Sequence, residues 1–192
     1  MEYPVVETFF SIQGEGYHTG QPCNFIRLAG CPINCKFCDT NKEVKEVRTQ
    51  ATLVKRMTKG YPVVITGGEP CIHDLGPLTT DLHYGNFQIW LETSGIAVTP
   101  YYADYVAVSP KVGHHFRKDV ASRADEVKWL VPEWSLEEIQ VLSEFFAKAE
   151  HYIQPVNDYL MVNKENVQKA IQIATYLKWP VSIQMHKIIG VR

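Results

Sequence analysis

The sequence contains no apolar run approaching the roughly 20 residues that a helix needs to cross a bilayer. Its first residues, Met1-Glu2-Tyr3-Pro4, lack the basic segment and the apolar core of a secretory signal peptide. The formal net charge is only −2 at pH 7, which gives no broad attraction for nucleic acid or for an anionic membrane surface. We therefore expect a protein that binds neither membrane nor nucleic acid.

Cysteine is scarce, with five residues in 192, and the number is odd. An odd count without an export signal argues against a disulfide framework and indicates a reducing, cytoplasmic environment. Internal repeats, low-complexity segments and linkers rich in glycine, serine or proline are also missing. Because 45% of the residues are hydrophobic, a sizeable core is possible, and we expect one domain spanning residues 1–192.

Three of the five cysteines, Cys31, Cys35 and Cys38, fall within eight residues. Thiolates this close repel one another unless a soft, positively charged centre holds them together. Iron–sulfur cubanes usually take four thiolates, so a site with three leaves one iron open for another ligand. A structural zinc site is the alternative, and Cys23, Cys71 or a histidine would have to supply its fourth ligand.

Strand-like and helix-like segments alternate along the chain, and the strands are short and apolar, which is typical of a parallel sheet covered by helices. Strands are predicted over residues 3–12, 24–28, 63–66, 87–91, 104–108, 126–131, 152–154 and 181–184, and helices over about 49–59, 135–147 and 163–178. A complete eight-stranded barrel takes about 250 residues, or about 31 per strand–helix unit, so this chain has room for about six units. The predicted fold is α/β, an incomplete parallel (βα)6-like barrel.

Four polar motifs directly follow predicted strands. Because ligands bind at the carboxyl edge of parallel strands, we expect these motifs to contribute to one site. They are Gly67-Gly68-Glu69-Pro70, Glu92-Thr93-Ser94-Gly95, Ser109-Pro110-Lys111 and Gln154-Pro155-Val156-Asn157. Taken alone, each is also compatible with an ordinary turn at a strand end.

Three single residues have competing interpretations. Arg27, in a predicted buried strand, would bind an anion such as a substrate carboxylate or pair internally with Glu7 or Glu15. Glu69 stands beside glycines that allow close backbone approach, so it could hold an ammonium group or simply belong to a turn. Thr40 offers a hydroxyl that suits Mg²⁺, but the same hydroxyl could cap a helix or a turn.

The three clustered cysteines, with Phe37 before the last of them, resemble the cluster motif of radical S-adenosylmethionine (SAM) enzymes. A longer ordered set resembles the 7-carboxy-7-deazaguanine synthase family over nearly the whole chain. In order, the set comprises SIQGEG (residues 11–16), RLAGC (27–31), CDT (38–40), GGEP (67–70), ETSG (92–95), SPK (109–111), QP (154–155) and QMHK (184–187).

This resemblance implies that 6-carboxy-5,6,7,8-tetrahydropterin is converted to 7-carboxy-7-deazaguanine with loss of ammonia. A [4Fe-4S] cluster would bind SAM at its open iron and, once reduced, release a 5′-deoxyadenosyl radical that takes hydrogen from C6 of the pterin. The chemistry would belong to the cofactor rather than to a catalytic side chain. Mg²⁺, a flavodoxin- or ferredoxin-type reductant and a homodimer are further implications.

Matching the family's motifs position by position assigns site residues in this chain. The cluster ligands would be Cys31, Cys35 and Cys38, and Thr40 would bind Mg²⁺. The substrate contacts would be Ile12, Gln13, Gly14, Arg27 and Thr93. The SAM contacts would be Phe37, Asp39, Gly67, Gly68, Glu69, Gly95, Ser109, Pro110, Lys111, Gln154, Pro155, Val156 and Asn157.

Two features depart from the family's pattern. Cys71 follows Gly-Gly-Glu-Pro where an aliphatic residue is expected, and it could compete for metal. The last residue is Arg192, so the contact that a terminal proline makes in some relatives is not carried over. Two other functions share part of the pattern: a radical SAM activase that installs a glycyl radical on a partner protein, and a zinc-binding interaction module without catalysis.

Overall fold

The computed structural model describes residues 1–38, 40–157 and 162–191. Eight strands form one sheet: β1 (Glu2–Ile12), β2 (Pro22–Leu28), β3 (Glu46–Thr49), β4 (Val63–Gly67), β5 (Ile89–Thr93), β6 (Tyr105–Val108), β7 (Glu126–Val131) and β8 (Glu150–Pro155). Their order across the sheet is β3-β1-β2-β4-β5-β6-β7-β8.

Strands β2 and β4 to β8 run parallel, which gives the six parallel strands that the chain length predicts. Strand β1 pairs with β2 in antiparallel fashion, and β3 pairs with β1 in the same way. Within the described residues β3 and β8 are the two free edges of the sheet, so the barrel does not close.

Successive residues of each strand face opposite sides of the sheet. Leu91 of β5 and Trp129 of β7 are fully buried in the core on the helix-covered side. Their neighbours Glu92 and Lys128 line a cleft on the other side. The prediction that all strands are apolar is therefore wrong for β7, which buries both Glu126 and Lys128.

In the described ranges six α-helices accompany the sheet: α1 (Gln50–Arg56), α2 (Gly76–Tyr84), α3 (Lys118–Ala121), α4 (Leu136–Ser143), α5 (Lys164–Leu177) and α6 (Met185–Ile189). Predicted caps are present, because the side chains of Thr49 and Asn163 accept hydrogen bonds from the backbone at the starts of α1 and α5. Ser135 and Glu138 form the capping box of α4. Within the described part of the chain, every helix is too short or too polar to span a bilayer.

Three parts of the fold differ from the sequence prediction. Residues 181–184 form no strand and contribute a single parallel bridge between Val181 and Ile153, after which the chain turns into α6. Strand β3 was not predicted, because its alternating charged residues give no apolar pattern and it forms by pairing with β1 at the edge. Helix α2 was missed because it begins at Gly76-Pro77, a dipeptide typical of turns, although proline also suits the first helical turn.

Candidate active site

A cleft of about 730 Å³ opens at the carboxyl ends of the parallel strands and extends down the polar face of the sheet. All four polar motifs contribute lining residues, and the cysteine loop and residues 12–15 contribute the rest of one wall. The predicted site residues that line it are Ile12, Gln13, Gly14, Arg27, Cys31, Cys35, Phe37, Cys38, Thr40, Gly67, Gly68, Thr93, Ser109, Lys111, Gln154, Pro155, Val156 and Asn157. The carboxyl ends of neighbouring strands thus bring together residues that are far apart in sequence.

The three clustered cysteines are free thiols at the mouth of this cleft. Burial raises the pKa of Cys35, while the nearby ammonium groups of Lys111 and Lys42 act in the opposite direction. Lys42 also fixes the loop by donating a hydrogen bond to the carbonyl of Ile33 at 2.9 Å.

The donor set of the loop is three thiols. A cubane places its thiolates on separate irons, so three thiols spread along one loop suit it. Cys71 is buried and its pKa is raised to about 12 by burial, which disfavours the thiolate that a metal would need.

The two glycines after β4 are required by backbone packing. A β-carbon on Gly67 would lie 2.1 Å from the carbonyl oxygen of Leu28, and the φ of Gly67 is +146°. A β-carbon on Gly68 would lie 2.1 Å from the carbonyl oxygen of Gly30 and 2.8 Å from Cβ of Cys31. The backbone of Gly67 therefore packs against the end of β2, and the start of the cysteine loop rests directly against Gly68.

We expect Gly68→Ala to displace the cysteine loop, because the new methyl group overlaps backbone atoms that cannot rotate away. The expected cost is about 1–3 kcal/mol in the free energy of unfolding, with reduced iron retention after reconstitution. Urea unfolding and iron content measure the two effects. Gly76→Ala is the matched control, since its nearest neighbour is the flexible carboxylate of Asp74 at 3.1 Å. Equal iron content in both variants would contradict the packing argument.

Glu69 has a structural role that the sequence did not reveal. Its carboxylate accepts hydrogen bonds from the backbone of Cys71 at 3.0 Å, the hydroxyl of Thr93 at 2.7 Å and the backbone of Ser94 at 2.7 Å, and also from the Ser94 hydroxyl. The side chain is 1% exposed and is not among the cleft-lining residues. Protein donors occupy its acceptor positions, and its assignment to a ligand ammonium stays a prediction.

Three other assigned positions lie outside the cleft lining or outside the described residues. Gly95 packs against Val108 and Phe116 on the core side of its turn. The carbonyl of Pro110 accepts a hydrogen bond from the indole of Trp134 at 3.1 Å. Asp39 lies outside the residues that the structure describes.

A network of charged side chains crosses the floor of the cleft. Lys128 donates to Glu15 at 2.6 Å and lies 3.8 Å from Glu92. The amide of Gln13 donates to Glu92 at 3.0 Å, and the amide of Gln184 donates to Glu15 at 2.8 Å. Five residues from four parts of the chain are therefore joined at one level of the site.

The pKa values of the central pair reflect this arrangement. Burial favours the neutral acid of Glu15, but the charge and hydrogen bond of Lys128 outweigh burial and lower the Glu15 pKa. Burial likewise opposes ionisation of Lys128, yet the attraction of Glu15, Glu92 and Glu126 raises its pKa. Both members are therefore ionised at neutral pH, as a close buried pair with additional hydrogen bonds requires.

Below this network, aromatic side chains close the bottom of the cleft. His18 stacks on Trp90 with ring centroids 3.8 Å apart, and Phe9 stacks on Phe25 at 4.7 Å. Tyr105 packs against the same layer and donates to the carboxylate of Glu126 at 2.9 Å.

Arg27 and Thr66 stand on the wall of the cleft near the cysteine loop. Arg27 is 24% exposed and donates to Glu7 at 3.1 Å, so the internal ion pair foreseen for it does form. Its guanidinium still has further donors available to an anion in the cleft. Thr66 lines the cleft but was missed in the sequence, where it reads as the last residue of an apolar strand.

The C-terminal segment is attached to the loop that follows β1. The backbone N–H of Met185 donates to Gly14 at 2.9 Å, and the Ser182 hydroxyl accepts from Gly16 at 2.9 Å. A β-carbon on Gly14 would lie 1.9 Å from the His186 ring, so a larger residue at position 14 would require the His186 side chain to move. His186 therefore lines the cleft as well.

Lys128 is the main cleft residue that the sequence did not reveal. A lysine within an otherwise apolar predicted strand was the available signal, because a buried lysine needs a partner. Its partner Glu15 is 113 positions away, and spacing along the chain cannot reveal that pairing.

The sequence was compared with known proteins. No family model matches it. It is 34% identical to the 7-carboxy-7-deazaguanine synthase of Escherichia coli K12 over the full length of both chains. It is 36% identical to the protein of the same name from Bacteroides thetaiotaomicron over 97% of each chain, and 32% identical to that from Synechocystis over 100% of this chain and 95% of the relative.

Solved structures agree with the sequence relatives. The crystal structure of QueE from Escherichia coli superposes with a TM-score of 0.76 at 32% identity, covering 96% of this chain and 95% of that one. Streptococcus suis SuiB, solved with S-adenosylmethionine bound, has a TM-score of 0.52 at 13% identity over 80% of this chain and 44% of its own, a likeness of fold alone. The predicted incomplete (βα)6-like barrel of the radical SAM type is thereby confirmed. With full-length identities above 30% and this shared fold, the chain belongs to the 7-carboxy-7-deazaguanine synthase family.

Proposed function

We propose that this protein is a radical SAM lyase that converts 6-carboxy-5,6,7,8-tetrahydropterin to 7-carboxy-7-deazaguanine with loss of ammonia, in 7-deazapurine (queuosine-type) biosynthesis. One observation carries the proposal: three free thiols of a single loop open into the same cleft as Arg27 and the floor network of Glu15, Glu92 and Lys128. Membership of a radical SAM family supports SAM and a [4Fe-4S] cluster as the cofactors.

The cleft divides into a cofactor end and a substrate end. In the proposal Cys31, Cys35 and Cys38 hold the cluster, and the lining residues after β6 and β8 bind SAM. Thr40 is proposed as an Mg²⁺ ligand because it carries a hydroxyl and lines the cleft next to the cysteine loop. When bound, the cluster and SAM supply the radical that removes hydrogen from C6 of the pterin.

The chain's own residues orient the substrate and exclude water. Arg27 would bind the pterin carboxylate through charge-assisted hydrogen bonds. Glu15 and Glu92 would accept hydrogen bonds from N–H groups of the pyrimidine ring, and Lys128 keeps the first of these acids ionised. The aromatic layer below them closes the site, which protects a reactive intermediate from solvent.

The proposal also covers the domain organisation, the oligomeric state, the reductant and the location of the protein. We infer a single radical SAM core domain over residues 1–192, a homodimer, a flavodoxin- or ferredoxin-type reductant and a cytoplasmic location. Size-exclusion chromatography with light scattering measures the oligomeric state directly.

The decisive experiment incubates reconstituted protein with SAM, dithionite and 6-carboxytetrahydropterin under anaerobic conditions and detects the deazaguanine product by absorbance and mass. Product formation that requires all three components supports the proposal. SAM cleavage that requires a partner protein instead would favour the glycyl-radical activase. Stoichiometric zinc without iron after anaerobic purification would favour the zinc-binding module.

Arg27→Gln is expected to raise the KM for the pterin about 10- to 150-fold, as the loss of about 1.5–3 kcal/mol from a charged hydrogen bond predicts. SAM cleavage without substrate should be unchanged, because the guanidinium is assigned to the substrate. The control is Glu7→Gln, which removes the internal partner of Arg27 but leaves its charge. A similar loss in both variants would assign Arg27 to the ion pair alone.

A further inference from the structure

Four consecutive backbone N–H groups in the loop after β1, those of residues 14–17, donate to side-chain oxygens. The first two donate to the amide of Gln13 at 2.8 and 3.2 Å, and the third donates to the hydroxyl of Ser182 at 2.9 Å. The fourth, that of Tyr17, donates to the carboxylate of Glu126 at 2.8 Å. Of these three acceptors, Glu126 is the one that lies in a parallel strand of the sheet.

The Glu126 side chain fits closely against this loop. It is only 2% exposed, and a β-carbon on Gly16 would lie 2.0 Å from its Oε1 atom. Gly16 also has a φ of +65°, which glycine adopts without strain. The other carboxylate oxygen, Oε2, accepts both from the N–H of Tyr17 and from the hydroxyl of Tyr105. The carboxylate of Glu126 therefore occupies the space that a side chain on residue 16 would take.

Strand β7 contacts the same loop a second time through Lys128. Glu126 and Lys128 are two positions apart in β7, so their side chains project from the same face of the sheet. Glu126 binds the backbone of Tyr17, whereas Lys128 binds the carboxylate of Glu15 at 2.6 Å. The first contact fixes where the loop lies, and the second fixes the direction of the acid. Both strand residues are buried, which leaves them little freedom to follow a displaced loop.

We propose that Glu126 is a positioning residue for the pterin, which holds the loop after β1 so that Glu15 can accept hydrogen bonds from the pyrimidine ring. The inference rests on the proposed function, since it deepens the assignment of Glu15 to the substrate. In the described part of the chain Glu126 does not line the main cleft, and it acts through the backbone of Tyr17. A strand is a more precise support for a binding group than a loop, and a misplacement of about 1 Å can lower a rate about 100-fold.

Two variants separate the length of the Glu126 side chain from its charge. Glu126→Asp keeps the charge but is one methylene too short to reach the N–H of Tyr17. Glu126→Gln keeps the length and an acceptor oxygen but removes the charge, which burial already disfavours by raising the pKa of Glu126. We expect kcat/KM for the pterin to fall about 10- to 100-fold in Glu126→Asp, mainly through KM, and to stay close to that of the unaltered protein in Glu126→Gln. SAM cleavage without substrate should be unchanged in both variants.

Hydrogen exchange tests the same contact without substrate or cofactor. A peptide covering residues 13–17 should exchange faster in Glu126→Asp, because the N–H of Tyr17 loses its acceptor. The control is Asn24→Ala. Asn24 is also 2% exposed and accepts from the backbone N–H of Thr58 at 2.7 Å, but it does not line the cleft. This variant should lose stability while the KM for the pterin and the exchange of residues 13–17 stay unchanged.

An unchanged KM for the pterin in Glu126→Asp would overturn the proposal, and so would unchanged exchange of residues 13–17. A larger loss in Glu126→Gln than in Glu126→Asp would also overturn it, because the effect would then come from the charge acting on Lys128. A parallel fall in SAM cleavage would reduce the role of Glu126 to general stability. If the unaltered protein forms no deazaguanine, the proposed function fails, whereas hydrogen exchange still tests the contact between Glu126 and the loop.

Discussion

Cys35→Ala is expected to abolish cluster binding and, with it, all cleavage of SAM. Cys35 is the central thiol of the loop and the one on which Lys42 and Lys111 act. Loss of an outer-shell partner of a metal ligand already costs about 10- to 100-fold in affinity or activity, and loss of the ligand itself should cost more. Iron and sulfide content and the visible absorption after anaerobic reconstitution measure the effect.

The matched control is Cys23→Ala. Cys23 is fully buried in β2, and burial raises its pKa to about 12, so it is a core thiol and not a metal ligand. We expect normal iron content in this variant, and a loss of about 1 kcal/mol in stability from the small cavity. Full iron content in Cys35→Ala would show that another residue binds the cluster in place of Cys35. The proposal that one iron of the cluster has no protein ligand would then lose its basis.

Lys128→Met is expected to be the most destabilising single change on the floor of the cleft. It leaves the carboxylates of Glu15 and Glu92 without their positive partner in a site where the lysine is only 7% exposed. Removing one partner of a buried pair costs about 3–5 kcal/mol, because the remaining charge is uncompensated. Urea unfolding at pH 7 measures the loss.

Between pH 7 and 5 the pair contributes no pH dependence in the unaltered protein, whereas this variant should show one. In the unaltered protein the pKa of Glu15 lies below its ordinary value of 4.5, so its contribution is complete above about pH 4.5 and is lost as the pH falls further. The pKa of Lys128 lies above 10.5, so its contribution is complete below about pH 10.5 and is lost as the pH rises. Without Lys128 the buried acids favour protonation, and stability should increase as the pH is lowered from 7 to 5.

Two further variants test whether the loss of stability in Lys128→Met comes from the buried charges. Lys128→Met combined with Glu15→Gln should recover part of the lost stability, since one uncompensated charge is removed. Lys55→Met, at an exposed position on α1, should change stability by no more than about 0.5 kcal/mol. If Lys128→Met is as stable as the unaltered protein at pH 7, the ion pair with Glu15 is not a buried interaction.

Several features were predictable because they depend on residues close together in sequence. The caps at Thr49, Ser135 and Asn163 were correctly predicted, since each needs only a side chain and a backbone N–H a few positions away. Short elements were less predictable. Residues 181–184 have strand-like composition, but only Val181 finds a partner, so the strand does not form.

The roles of individual site residues were harder to predict than their presence. The GGEP and ETSG motifs were expected to contact ligand, yet Glu69 uses its carboxylate to hold Thr93 and Ser94 in place. Gly68 is glycine because the cysteine loop rests against it. In both cases the residue positions another segment that lines the cleft, and sequence spacing alone does not show such a contact.

The sequence by itself determined the cysteine loop, the number of parallel strands and the family, because these depend on local spacing, chain length and ordered motifs. The tertiary structure alone decided that Lys128 faces Glu15 and Glu92 in the cleft, and that Gly14 meets His186. The physical reason is strand register: moving a strand by one residue would turn Lys128 to the opposite side of the sheet. Only the folded sheet fixes that register and brings such distant charges within hydrogen-bonding distance.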